Sequence, residues 1–178
     1  GVTALRFGPA YYRTHTGPGR YDWESCEAPM SWLRDSRFAL IAELCSFGTP
    51  AWLGGFQDPA FPVLFADYAR AFARRHPWVK YYTPVTRIGA CARASGLHGE
   101  WNECLTTDAG YVRALRNLCM AHELAVEAIL GERPDAIIIQ NCGLLASIFS
   151  SNRVFPYLPC PCRLYLYLLS PDSSDDLQ

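Results

Sequence analysis

The chain is short of several features that would narrow its role directly. Acidic and basic residues nearly cancel, 17 against 16, for a net charge of −1. That balance gives no reason to expect nucleic acid, a membrane surface or a polyanionic partner. Long apolar runs are missing too: none reaches the roughly 18 residues of a membrane span. The opening Gly1-Val2-Thr3-Ala4-Leu5 does not resemble a signal peptide and reads as the inside of a domain already under way. No glycine-rich phosphate loop follows any strand-like run, which argues against nucleotide binding. Of the 16 cationic residues only Lys80 is lysine, a bias that fits GC-rich coding better than a functional surface. Nothing in the chain asks for a cofactor.

Eight cysteines are present, at positions 26, 45, 91, 104, 119, 142, 160 and 162. They are scattered, several lie in apolar strand or helix contexts, and no pair of CxxC knuckles occurs. They read as reduced core thiols of a cytoplasmic protein rather than a disulfide framework or a zinc site. Cys160-Pro161-Cys162 has the look of half a metal site, but no further ligands lie near it in sequence.

At 178 residues, length favours one domain with a sizeable core. Residues 4–8 form a short strand candidate, and a loop rich in Gly, Pro and Tyr follows over 9–23. A helical pattern over 29–37 includes Met30, Trp32 and Leu33. The apolar run 38–45 suits a parallel strand buried on both faces. Asp58-Pro59 opens the next helix, in which Phe61, Phe65, Tyr68 and Phe72 recur at helical spacing until Pro77 stops it. Residues 81–88 then read as a strand and 89–106 as a loop. The clearest helix follows, with Thr107 or Asp108 as its cap and Val112, Leu115, Cys119, His122, Val126 and Ile129 as its buried stripe. Residues 135–140 form a β-branched strand.

The alternation of strands and helices predicts right-handed crossovers and one parallel sheet. Periodicity alone does not choose between a barrel and an open doubly wound sheet. After Gly143 the character changes, so the chain divides into residues 1–142 and a divergent, poorly structured tail, 143–178.

Four stretches carry a resemblance. They are Gly19-Arg20-Tyr21-Asp22-Trp23; the run from Leu44 through Phe47, Pro50 and Trp52 to Leu53; the segment 65–85 with its Tyr82-Thr83-Pro84-Val85 ending; and 111–139. Together they resemble a family 1 glycoside hydrolase of the bacterial β-glucosidase type. The resemblance implies an α/β fold, a partial (β/α)8 TIM barrel cut to roughly its second through fifth strands. It also implies a retaining mechanism with two glutamates about 5 Å apart across the sugar, one an acid/base and the other a nucleophile.

In that family the acid/base lies in a Thr-x-Asn-Glu motif at the end of the fourth strand. Here the corresponding positions are Thr86 and Arg87. A guanidinium stays protonated above about pH 12, so Arg87 cannot shuttle a proton. The family's sugar-holding histidine corresponds to Ser46, beside a retained aromatic, Phe47, and Trp52 of Pro-x-Trp is also retained. The nucleophile belongs to a late strand with no counterpart in this chain.

The resemblance therefore implies no catalytic residue and a sugar ligand contacted by Ser46, Phe47, Trp52, Thr86 and Arg87; Trp101, an aromatic in the following loop, is a further candidate sugar platform by its chemistry alone. Glu43 falls out of phase with Ser46, and Glu100 and Glu103 read as solvated loop charges. His15, His76 and His98 have no paired nucleophile, and His122 reads as a satisfied core residue. Tyr11, Tyr12 and Trp23 read as packing. The alternatives are a non-catalytic carbohydrate-binding module and a self-associating half barrel with exposed sheet edges. A Rossmann-type oxidoreductase is more remote.

Two reading-frame slips, one before position 86 and a second restoring the frame at Ile88, are the hypothesis that covers the changed motif. Asn-Glu codons such as AAC-GAG, read one base late, begin ACG-AG and encode Thr-Arg. Sequencing the coding DNA is expected to show Asn-Glu in an alternative frame at positions 86 and 87; no such frame there rules the slip out.

Overall fold

The computed structural model describes residues 1–140. The proposed tail 143–178, with Cys160 and Cys162, lies outside the described residues. Within them the elements run β1 (Ala4–Phe7), α1 (Tyr11–Thr14), β2 (His15–Gly17), β3 (Arg20–Tyr21), α2 (Glu24–Asp35), β4 (Ala39–Cys45), a 3₁₀ turn (Gly55–Gln57), α3 (Phe61–Arg75), β5 (Tyr81–Val85), α4 (Ile88–Gly96), α5 (Asp108–Glu132) and β6 (Ile137–Ile138).

Four strands form one parallel sheet in the order β1-β4-β5-β6, with Arg6 beside Ile41, Ile41 beside Tyr81 and Tyr81 beside Ile137. A parallel sheet reached through helical crossovers, with each strand next to the one before it, is the progression of a barrel wall. Side chains alternate as a pleat requires. Leu40, Ala42 and Leu44 are buried, whereas Ala39, Ile41 and Glu43 are more exposed on the opposite face. On that more open face Arg6 meets Glu43 at 3.7 Å. Glu43 is therefore already paired.

The buried face packs on α3 and α5, whose contact is the most extensive among the helices. On α3 the expected aromatic stripe is the core itself: Phe61, Phe65, Tyr68 and Phe72 are wholly buried. The α5 cap is also as expected, with Thr107 Oγ1 accepting from the Gly110 amide at 3.0 Å. Its buried stripe is borne out in part: Val126 and Ile129 are buried, and Leu115 and Cys119 pack partly buried against the core. Val112 is 60 % exposed, and Ala114, Leu118, Ala121 and Ala125 face inward. The reason is close approach: α5 is wedged against α3 and α4, and small residues allow it. At the α4 crossing, a Cβ on Gly96 would lie 2.6 Å from the Gly110 carbonyl. An apolar count favours Val over Ala and so misplaces Val112 at the start of the stripe. Asn117 on α5, buried, donates to the Phe56 carbonyl at 2.7 Å and ties the helix to the 3₁₀ turn.

Three further expectations change. Residues 89–106 are not all loop, because α4 occupies Ile88–Gly96; Ile88, Cys91, Ala92 and Ser95 are buried at helical spacing behind punctuating glycines. The second helix begins at Glu24, not at Pro29, with Asp22 Oδ1 accepting from the Glu24 amide at 3.0 Å and Pro29 carried inside. Residues 9–23 contain α1 and a β2–β3 hairpin turning at Gly19, whose φ is +65°.

Among the described residues, Cys26, Cys45 and Cys91 are buried free thiols, and Cys104 is an exposed one. Among the described residues no helix is long and apolar enough to cross a membrane. Tyr11 and Trp23 pack on Tyr68, with ring centroids at 4.9 and 5.5 Å, while Tyr12 is 54 % exposed. His15 Nδ1 meets the Tyr11 hydroxyl at 3.2 Å, but its Nε2 is buried without a hydrogen bond. His76 Nε2 and His122 Nδ1 are in the same state, so His122 is not the satisfied core residue expected from its helical position.

Burial pushes the pKa of all three histidines down, from 6.5 to about 4. Between those values the unfolded chain binds protons that the folded chain refuses. Stability should be full above pH 6.5 and fall as pH drops toward 4, then level off as the folded state titrates. Urea midpoints measured across this range are expected to decline, and His76→Asn should flatten the decline. A midpoint that does not move over the window contradicts the assignment.

Candidate functional site

The C-terminal ends of β4 and β5 are joined by one ladder bond, from the Thr86 amide to the Cys45 carbonyl at 2.8 Å. Register therefore sets Ser46 and Phe47 beside Thr86 and Arg87. In a parallel barrel this is the end at which side chains reach a ligand. Cys91, one turn into α4, donates its thiol toward the Ser46 and Thr86 carbonyls at 3.2 and 3.3 Å, so the step from strand to helix is held from below. Burial pushes that thiol up to about 11, despite the Arg87 charge. It is a structural thiol rather than a nucleophile at neutral pH.

Arg87 ends the strand in the left-handed region, φ 50° and ψ 47°, where a non-glycine residue is strained. Its guanidinium lies 5.1 Å from the centroid of Phe47, which is 53 % exposed. Trp101 meets the same ring edge-on, centroids 5.4 Å apart. Phe47 and Arg87, both exposed, and Trp101, half-buried against the core, thus form one aromatic and cationic cluster. Ser46 and Thr86 lie at its base, and Thr86 Oγ1 is buried with no hydrogen-bond partner.

Trp52 does not join them through any ring contact. Its indole N–H donates to the His15 carbonyl at 2.6 Å and its ring meets His15 edge-on at 4.8 Å, so it anchors the hairpin.

Two residues near the cluster were not legible as such. Asn102, at φ 48°, donates from Nδ2 to the Phe47 carbonyl at 3.1 Å and to Ser95 Oγ at 2.8 Å, and its Oδ1 accepts from the Thr49 amide at 3.3 Å. It fixes the loop that carries Phe47. The available signal was an asparagine in a short polar loop, a residue that tolerates a left-handed backbone. Glu103 is not the solvated charge expected of a loop glutamate. Its Oε1 accepts from the Gln57 amide at 3.0 Å and its Oε2 is buried without a partner. Burial raises its pKa, and backbone donors from Glu103, Gln57 and Phe56 partly offset that rise. A side chain on Gly55, whose φ is +72°, would run into this carboxylate. Glu100 is exposed, as expected.

No protein-family model matches the chain, and neither does any curated protein. Solved structures do. A β-glucosidase from Thermotoga maritima in complex with deoxynojirimycin superposes with a TM-score of 0.71 at 21 % identity, covering 78 % of this chain and 33 % of that one. The family 1 β-glucosidase from the same organism gives the same score and identity over 79 % and 33 %. Fpglu1 from Fervidobacterium pennivoraus gives 0.69 at 19 % identity over 78 % and 37 %. The chain spans about a third of the length of these proteins. At such identity the likeness is one of fold: an α/β chain whose four-stranded parallel sheet corresponds to part of the TIM barrel of β-glucosidases.

Proposed function

We propose that this chain is a β-glycosidase-like barrel segment that holds a sugar at the C-terminal ends of its strands without hydrolysing it. One observation carries the reading: at the end of β5 a guanidinium, not a carboxyl, stands over the exposed Phe47 ring. A retaining glycosidase needs an acid that gives up its proton near the working pH and a second carboxylate about 5 Å away. Arg87 offers neither. Glu43 is held by Arg6, and Glu103 is spent on the backbone of the 3₁₀ turn. What survives is suited to binding: a Phe47–Trp101 aromatic pair for the apolar face of a sugar, with donors for hydroxyls around it. Solved neighbours of this fold bind deoxynojirimycin and castanospermine, which supports a sugar-like ligand here. The free thiols among the described residues, Cys26, Cys45, Cys91 and Cys104, fit a reducing, cytoplasmic setting.

Self-association is favoured by a separate observation. β1 and β6 each have only one neighbour in the sheet, leaving two ladder edges open among the described residues. Light scattering is expected to give a mass above the 19.9 kDa of one chain; a compact monomer at all concentrations removes this second reading.

For the first reading, a chromogenic aryl β-glucoside should be hydrolysed no faster than in buffer. Titration with methyl β-glucoside or deoxynojirimycin should quench tryptophan fluorescence, and Trp101→Ala should weaken binding about tenfold, ~1.4 kcal/mol. Turnover above the blank, or no response to any sugar, overturns it.

A further inference from the structure

Building on the sugar-binding reading, we infer that the ligand of this site is a sugar bearing an anionic substituent, a carboxylate or a phosphate, taken by Arg87. The guanidinium carbon lies over the Phe47 ring, 5.1 Å from its centroid, a contact that engages none of its N–H donors in a hydrogen bond. Among the described residues the Arg87 side chain makes no hydrogen bond or ion pair. The neighbouring carboxylates are directed elsewhere, Glu43 to Arg6 and Glu103 to the Gln57 amide. A planar fork held over an aromatic ring suits an anion with two coplanar oxygens, which it grips with two parallel hydrogen bonds. A sugar hydroxyl would use one of them.

The backbone around Arg87 favours the same charge. Its left-handed conformation, φ 50° and ψ 47°, is strain located at the rim of the sheet. Immediately beyond it α4 begins, with no side-chain cap and no acidic residue in its first turn. That nine-residue helix directs its positive end at the position Arg87 occupies. One residue before, Thr86 is 3 % exposed and its Oγ1 has no partner. The hydroxyl is a spare donor beside the turn. The Arg87 N–H groups, the Thr86 hydroxyl and the positive end of α4 are each groups that an anion satisfies.

Calorimetric titration of the full chain with methyl β-glucoside, methyl β-glucuronide, glucose 6-phosphate and inorganic phosphate tests this. At least one of the two charged sugars should bind about tenfold more tightly than the glucoside, as a charge-assisted pair in place of a neutral hydrogen bond requires. The tighter of the two identifies the carboxylate or the phosphate as the anion. Arg87→Gln should remove the preference, and Arg87→Lys, which keeps the charge but loses the fork, should keep only part of it. Arg87→Gly relieves the left-handed strain, so it should lose the preference with thermal stability kept or raised. That variant separates loss of the anion contact from loss of folding.

Equal affinity for neutral and charged sugars overturns the inference while leaving the sugar-binding reading intact. So does a preference that survives Arg87→Gln. No binding of any sugar defeats the sugar-binding reading itself. Inorganic phosphate binding as tightly as glucose 6-phosphate also overturns the inference, since the sugar would then contribute nothing.

Discussion

The site depends on one backbone constraint, the parallel pairing of β4 with β5. Cys45 lies beside Val85, and the next ladder bond joins Thr86 to Cys45. With that register, Phe47 and Arg87 leave adjacent strand ends and their side chains meet. Shift it by one residue and the two would leave on opposite faces of the pleat. The register is itself fixed by burial, because Leu40, Ala42, Leu44 and Tyr82 must all reach the side where α3 and α5 lie. Core packing and the geometry of the proposed site are thus two readings of one hydrogen-bond ladder.

The four sheet strands were legible because each is a short apolar run bounded by proline, glycine or charge. Their parallel order followed from the helices between them. Elements built from small residues were harder to see. In α4, Ala90, Ala92 and Ala94 alternate with Cys91 and Arg93 between glycines, a composition that apolar counting reads as loop. The alanines on the inward face of α5, Ala114, Ala121 and Ala125, are hard to read for the same reason: alanine contributes little to a hydrophobic pattern but permits the closest helix contacts.

The candidate site was legible in part. Phe47, Arg87 and Trp101 converge, although Trp101 is distant in sequence and only its aromatic chemistry marks it there. Trp52 could not have been separated from them by sequence, because a conspicuous tryptophan after a strand serves a ligand or a neighbouring hairpin equally well. Its bond to the His15 carbonyl shows the second use. Glu103 looked solvated because its partners are backbone amides from a turn 46 residues earlier, and amides leave no mark in a sequence.

Asn102 bears on energetics as well as placement. One small amide joins the strand-end loop at Phe47 and Thr49 to Ser95 near the close of α4. A loop stitched at three points has surrendered its conformational freedom before any ligand arrives. The ordering entropy is then borne by folding, once, and not by each encounter. Such a surface behaves as a fixed mould, and its selectivity is set by shape and charge rather than by closure.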